Sequence, residues 1–313
     1  MGFAGAMVVA MTVDALMGWP GALFARIGHP VTWIGRLISL LDRSWNRSAD
    51  APSIRRIAGV AAALLVIGSC LGIGWIVQAL LPAGWSGAVL LGIVAWPMVA
   101  LRSLYDHVAA VAQPLQSGDI DAARLAVAQI VGRDPATLDE AGIARAAIES
   151  LAENASDGIV APVFWGVLFG LPGIVGYKAI NTLDSMIGHR SERHLYFGWA
   201  AARIDDIANF IPARLTGVLF SVVSSRFSQA LSCMVRDANR HRSINAGWPE
   251  AAMAGALGVR ISGPRSYHGA VTDEPWLNDG ARDPLGADVR SGLMLYVRAM
   301  LLLGGLLIAL ALV

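Results

Sequence analysis

From Ile57 to Leu81 the chain runs for 25 residues without a charged side chain, and no other feature limits its fold as severely. A hydrocarbon core offers no water to backbone amides, so an apolar stretch longer than about 20 residues is read as a helix that crosses a bilayer. The composition agrees: 55% of the residues are hydrophobic, 15% are charged and the mean hydropathy is +0.56, outside the range of ordinary soluble domains. A net charge of +1 gives no reason to expect a nucleic-acid partner. The expected fold class is all-α, a polytopic helical membrane protein with a helical cytoplasmic portion.

The apolar segments divide residues 1–313, taken as one integral membrane domain, into spans at 1–17, 57–81, 86–101 and 293–313. Segments 159–177 and 207–224 are too short or too broken by proline and glycine for a simple crossing, and read as broken or re-entrant. The first segment lacks the basic start of a secretory signal and is expected to be retained. Asp14 near its end reads as an interfacial acid. Six arginines between Arg26 and Arg56 precede the hairpin of spans whose tip, Pro82-Ala83-Gly84, has no basic residue. The positive-inside rule therefore puts the tip outside and residues 102–157 and 225–290 in the cytoplasm. Before the hairpin, Trp33, Leu37, Leu40 and Leu41 recur at helical spacing opposite Arg36, Asp42 and Arg43, which predicts an amphipathic helix on a membrane face. His29-Pro30 reads as a turn, and Gly132 to Pro135 as a helix break. His241 and His268, each taken alone, read as ordinary surface residues. Cys70 and Cys233 lack the spacing of a metal site or a disulfide framework.

Chemistry concentrates between Glu149 and Arg214. Lys178 is the only lysine among 24 basic residues. Glu149, Glu153 and Asp157, at i, i+4 and i+8, place three carboxylates on one helical face that runs into the apolar segment GIVAPVFWGVLFGLPGIVGY. Beyond it, Lys178, Asn181, Asp184 and Ser185 share a face, and Arg203, Asp205, Asp206, Asn209 and Arg214 follow. Hard oxygen ligands in this density suit Mg²⁺, which takes one or two carboxylates and leaves its other positions to water and phosphate oxygens. Neighbouring arginines can clamp a phosphate, and a lysine can neutralise charge on a transferring phosphoryl group. The chain has no GxxxxGK[ST] loop, so a nucleotide would be held in another way.

Taken in order, HPVTWIGRLI, ESLAENASDGIVAP, YKAINTLDSMIGH, AARIDDIANFIPARL and NAGWPEAAMAGALGV resemble the cobalamin-biosynthesis membrane proteins of the adenosylcobinamide-phosphate synthase family over nearly the whole chain. The resemblance implies a multi-pass enzyme of the bacterial cytoplasmic (inner) membrane with its active site on the cytoplasmic side. Its expected reaction joins adenosylcobyric acid to aminopropanol or aminopropanol phosphate by an amide bond, using ATP and Mg²⁺. Its expected partners are those substrates, the lipid bilayer and other late enzymes of the same pathway. Two departures stand out: Gly18-Trp19-Pro20 where the family usually has Gly-Asp-Pro, and Ser243-Ile244-Asn245-Ala246-Gly247 where it has Ser-Pro-Asn-Ala-Gly.

An amide-forming enzyme must activate a carboxylate and neutralise an attacking ammonium. On that chemistry Glu153, Asp157, Asp184 and Asp205 or Asp206 are expected to hold Mg²⁺, and Lys178, Arg203 and Arg214 to hold phosphate. Glu149 is expected to take the proton, with Lys178 as the second catalytic residue. Asn154, Asn181, Ser185, Asn209, His241 and Asn245 complete the set expected to bind substrate or phosphate. Two other readings fit parts of this pattern. DDIAN resembles the acid-rich motifs of intramembrane Mg²⁺-dependent prenyl-diphosphate transferases, although ENASD is a loose second motif. Intramembrane acids also occur in transporters and scaffolds that handle a corrinoid without chemistry, although the chain has no pair of matching halves.

Overall fold

The computed structural model describes residues 2–131, 138–267, 270–272 and 274–313, so the expected break at Gly132 to Pro135 and His268 lie outside the described residues. The protein is 77% helical with almost no strand, as an all-α membrane protein should be. In chain order the helices begin with α1 Phe3–Met17, α2 Gly21–Ile27, α3 Pro30–Trp45, α4 Pro52–Leu80 and α5 Trp85–Ala95. They continue with α6 Leu101–Ser117, α7 Ile120–Val127, α8 Glu140–Ala155, α9 Ala161–Phe169 and α10 Leu171–Ile187. Then come α11 Trp199–Ala208, α12 Phe210–Val223, α13 Phe227–Asp237, α14 Gly247–Leu257 and α15 Gly286–Leu312. Three helical stretches are long and apolar enough to cross a membrane: Pro52–Leu80, Trp85–Ser117 and Gly286–Leu312. The number rises to five if the bent pairs Phe3–Met17 with Gly21–Trp45, and Trp199–Ala208 with Phe210–Val223, each count as one span.

The chain packs as two units, one of Met1–Ala100, Ala161–Asn209 and Leu307–Val313, the other of Leu101–Val160 and Phe210–Leu306. The first unit is organised by α4. Its buried positions Gly59, Ala62, Ala63, Val66, Cys70 and Gly74 recur every three or four residues and form one narrow stripe of mostly small side chains. Ile57, Leu64, Ile73 and Ile76 stay exposed, as lipid-facing residues should. Between helices in lipid the attraction is close packing, and small residues let backbones approach. A Cβ added to Gly59 would stand 1.9 Å from the Phe197 carbonyl oxygen, and one on Gly74 would stand 2.9 Å from Cα of Pro172 at the start of α10. Leu183, Ile187, Phe197, Ala200 and Ala201 pack on this stripe from the α10 to α11 segment, with Ile34, Ile38 and Leu41 from α3.

The buried face of α3 is thus Ile34, Ile38 and Leu41, while Trp33 and Leu40 of the expected membrane-facing stripe are exposed at 48% and 54%. Sequence spacing alone could not choose between two apolar stripes about 100° apart. Asp14, near the end of α1, is only 4% exposed. Apolar segment 159–177 is two helices joined at Gly170, whose φ of +68° suits glycine. The second helix packs back on the first, with a Cβ at Gly173 only 2.1 Å from the Trp165 carbonyl oxygen. At nine residues α9 rises about 14 Å, less than half a hydrocarbon core.

The second unit is a helical body of α6 to α8 and α12 to α14 with a small strand-bearing segment. β1 Ile261–Ser262 pairs antiparallel with β4 Trp276–Leu277, and β2 Arg265–Tyr267 with β3 Ala270–Thr272, inside a stretch expected to be helices and turns. The segment is tied down by charge. Asp283 accepts from Arg260 (3.0 and 2.8 Å) and Arg145 (2.6 Å), and both guanidinium groups lie over the Trp276 ring. Asp237, fully buried, accepts from Arg236 and from the Asn278 amide at 2.8 Å.

Candidate functional site

In the first unit the site residues stand on α10 and α11. The start of α10 is fixed by α4, because the Leu171 amide donates to Gln78 Oε1 at 2.7 Å and so finds a partner for one of the amides a helix start leaves open. Along α10, Lys178, Asn181, Asp184 and Ser185 form the incompletely buried face while Ala179, Thr182 and Leu183 point into the unit, as the spacing predicts. The Ser185 hydroxyl donates to the Asn181 carbonyl at 2.8 Å. Asp184 closes the helix: the Gly188 amide donates to its carbonyl, and its Oδ1 occupies the place of a Gly188 Cβ, 1.9 Å from where that atom would be. Burial raises the pKa of Asp184 above the ordinary carboxylate range; His189 opposes the rise and the charge of Asp206 adds to it. Asp184 and Asp206 therefore lie within electrostatic reach of each other and share an appetite for a cation.

On α11, Arg203 pairs with Asp206 at 3.0 Å, one turn apart on the helix. Asp205 Oδ2 accepts from Asn209 Nδ2 at 3.0 Å, and Asn209 Oδ1 accepts from the Tyr177 hydroxyl at 2.8 Å. Asn209 is 1% exposed, which places it behind Asp205 as a positioning group and not at a substrate-facing surface. Tyr177 is the residue that sequence reasoning passed over. It sits next to Lys178 on the buried side of α10, and the signal was available in the only hydroxylated aromatic of that helix. Lys178 stands within electrostatic reach of His29. His29 Nδ1 accepts from the Val31 amide at 3.2 Å and caps α3, so the expected turn is a helix cap. Trp19 meets His29 edge-on at 4.9 Å and Trp96 at 5.4 Å. Where the family usually has an acid, this chain places an indole in an aromatic group beside His29.

In the second unit α8 carries Glu149, Glu153 and Asn154, and gives way after Ala155 to a single wide π turn, Ser156–Val160, that contains Asp157. Such turns recur at functional sites because the extra residue swings side chains off the helical register. The three acids accordingly do not share one environment: Glu149 is 6% exposed, Glu153 is exposed and Asp157 is half-buried. Glu149 Oε1 accepts the Ser262 amide at 2.7 Å and so anchors β1. Asn154 donates to the Ser150 carbonyl at 2.9 Å.

Arg214, on α12, lies over the rings of Phe210 (3.6 Å) and Trp248 (4.3 Å) and donates to the Phe210 carbonyl and to Asn245 Oδ1 at 3.4 Å. Asn245 belongs to a turn built by Ser243, whose Oγ accepts the Asn245 and Ala246 amides and opens α14. Ile244, at the second departure from the family pattern, is 49% exposed on that turn, so the change is local. His241 Nδ1 accepts the Ser243 amide at 3.0 Å, and Nε2 lies 3.8 Å from Oε2 of the buried Glu250. His241 is therefore a half-buried turn residue with an acidic neighbour, and Glu250 went unnoticed in the sequence.

Among the described residues no group of three or more His, Cys, Asp and Glu side chains could hold a metal ion by itself. Mg²⁺ bound to this protein would need oxygens from its substrates, with Asp184 and Asp206, which lie within electrostatic reach of each other, as the candidate carboxylates. That is a common arrangement for an ion that arrives with phosphates, and the α10 to α11 face fits it. Over residues 7–296 the sequence matches the family described as CobD/Cbib protein. The chain belongs to this family. Its CobD/Cbib relatives include a cobalamin biosynthesis protein CobD of Rhodobacter capsulatus, 62% identical over 300 residues, covering 96% of this chain and 95% of the relative. A protein of the same name from Brucella suis is 47% identical over 313 residues, covering 97% and 96%. Another, from Rhizobium meliloti, is 44% identical over 283 residues, covering 88% and 86%. No solved structure matches the chain.

Proposed function

We propose that this protein is an amide-forming ligase of the bacterial inner membrane, which joins adenosylcobyric acid to aminopropanol or aminopropanol phosphate at the expense of ATP. A role in cobalamin biosynthesis comes with the family and with the printed names of its relatives. The observation that carries the finer reading is on α10 and α11, where Asp184 and Asp206 lie within electrostatic reach of each other and Arg203 pairs with Asp206 at 3.0 Å. A carboxylate is not electrophilic at neutral pH, so the corrinoid acid must first be activated, which ATP would supply with Mg²⁺ offsetting the phosphate charge. Asp184 and Asp206 would hold that ion, and Lys178 and Arg203 would hold phosphate oxygens. The attacking ammonium must lose a proton before it reacts. Glu149, the expected acceptor, is committed to the Ser262 amide at 2.7 Å.

The arginine-rich segments before α4 support a cytoplasmic site on the charge rule. The test is an assay of the detergent-solubilised full chain with adenosylcobyric acid, each form of the amine, ATP and Mg²⁺, with the corrinoid followed by mass spectrometry. Amide product that disappears without Mg²⁺ and in Lys178→Ala, while the variant keeps its melting temperature, is the expected result. Folded protein that yields no amide with either amine would overturn the reading, and ATP left unconsumed in the presence of both substrates would move the protein to the transporters or scaffolds.

A further inference from the structure

The first unit carries a cationic strip that the reaction does not use. On the solvent side of α3 the exposed positions Trp33, Arg36, Leu40 and Arg43 follow one another at helical spacing, and exposed Arg47 follows just beyond the helix end at Asn46. No guanidinium group of these three arginines has an ion-pair or hydrogen-bond partner among the described residues. The opposite side of the helix is buried through Ile34, Ile38 and Leu41, so the strip is held outward by the core.

Contacts fix the height of this strip against the membrane. Asn46, which ends α3, accepts from Arg55 in the first turn of α4 at 2.9 Å and donates to Asp42 and to the Arg193 carbonyl. Arg193 in turn donates to Asp42 Oδ2 at 3.0 and 2.8 Å. The end of α3 is thereby pinned to the point where the 29-residue apolar helix begins. On α4 itself Arg56 lies over the exposed Trp199 ring at 4.6 Å, and exposed Ile57 follows directly. A helix leaving that point with arginines and a tryptophan on its outer face lies at the level of the headgroups. It cannot lie in hydrocarbon, where each arginine would cost about 2.5 to 3.5 kcal/mol.

We propose that this face of α3, continued by Arg56 on Trp199, is a binding surface for anionic phospholipid. The arginines meet the phosphates, and Trp33 and Leu40 enter the interface between them. Charge complementarity and continuity with the lipid-facing flank of α4 select a lipid as the occupant. The inference is independent of the ligase reading, since no residue of the α10 to α11 face takes part in it.

The test reconstitutes the full chain in phosphatidylcholine vesicles holding a minor fraction of phosphatidylglycerol, extracts it in mild detergent and measures the two lipids that remain bound. The wild type should retain phosphatidylglycerol at about fivefold or more above its proportion in the vesicles, the effect of a single unscreened basic contact. High salt should remove the excess. R36Q/R43Q/R47Q should lose it and R36K/R43K/R47K should keep it. Wild-type protein with lipids in vesicle proportion, or a glutamine variant as enriched as the wild type, would overturn the proposal. If the glutamine variant does not fold, salt-insensitive enrichment in the wild type overturns it equally. A salt-sensitive dimer without lipid enrichment would give the face to a second copy of the chain and reject the lipid.

Discussion

Gly59→Ala is the most informative single change in the first unit, because it probes the contact that lets α4 and the segment after α10 lie against each other. A Cβ at this position would stand 1.9 Å from the carbonyl oxygen of Phe197, 2.7 Å from its carbonyl carbon and 3.0 Å from its Cα. These are backbone atoms of a residue that is 1% exposed, so no rotamer can relieve the clash and the two segments must part by at least about 1 Å. Overpacking of this kind costs about 1–3 kcal/mol. Alanine also returns up to about 1 kcal/mol of helix propensity, which leaves a net loss of about 1–2 kcal/mol. Gly72 provides the control: it lies in the same helix, nothing stands within 4 Å of its missing Cβ, and Gly72→Ala should give only the propensity gain. Both variants can be melted in detergent with a fluorogenic thiol reagent, because the chain's two cysteines, Cys70 and Cys233, are 7% and 2% exposed and report unfolding. Gly59→Ala should melt about 3–6 °C below the wild type, and Gly72→Ala at or above it. Equal melting temperatures for the two variants would refute the assignment of Gly59 to a close helix contact.

Gly188→Ala should lower turnover more than it lowers the melting temperature, because the added Cβ would stand 1.9 Å from Asp184 Oδ1 and displace that carboxylate, while its backbone contact, the Asp184 carbonyl oxygen, lies at 2.8 Å; a variant with wild-type kcat would remove Asp184 from the site. Before unfolding, maleimide should label neither cysteine, since burial and the neighbouring Asp237 push the Cys233 thiol up to about 12. Ser191→Cys, at an exposed position of a protein with that silent background, should then label from the cytoplasmic face alone, and labelling from outside alone would reverse the topology. Asp283 is held below the usual carboxylate range by the Arg260 hydrogen bonds, with burial opposing and Arg145 adding. A depressed folded value means that its stabilisation is present above the unfolded pKa of about 4 and is lost as the pH falls through the folded value. The stability gap between wild type and Asp283→Asn should therefore shrink below about pH 4, and a gap independent of pH would assign the effect to packing.

Much of the architecture was legible because the bilayer constrains a sequence more tightly than water does. The charge-free run from Ile57 to Leu81 and the closing apolar segment could be little else than helices, and they are α4 and α15. The α10 face was legible for a similar reason: Lys178, Asn181, Asp184 and Ser185 fall at 3.6-residue spacing in a segment whose other positions are apolar. What failed was any inference that carried a periodicity through a break. Glu149, Glu153 and Asp157 keep the spacing of a continuous helix, but the π turn at Ser156–Val160 interrupts it, and the Ser262 amide, 113 residues away in sequence, draws Glu149 inward. Likewise α3 offered two apolar stripes, and only the neighbours that supply its core decided that Ile34 and Ile38, and not Trp33 and Leu40, would be buried.

By itself the sequence determined that this protein is a helical resident of a membrane, that the single lysine lies among acids and amides between residues 149 and 214, and, through long motifs, which family it belongs to. Those properties follow from local causes: hydropathy over a span's length, helical spacing and the chemistry of each side chain. The tertiary structure decided which of those polar residues act at a surface and which hold the fold. Asn209 turns inward to fix Asp205, Glu149 anchors a strand, Asp14 is buried, and Asp184 and Asp206 come within reach of each other. Burial and pairing depend on partners far away in the chain, and no local pattern specifies which partner a polar group will meet.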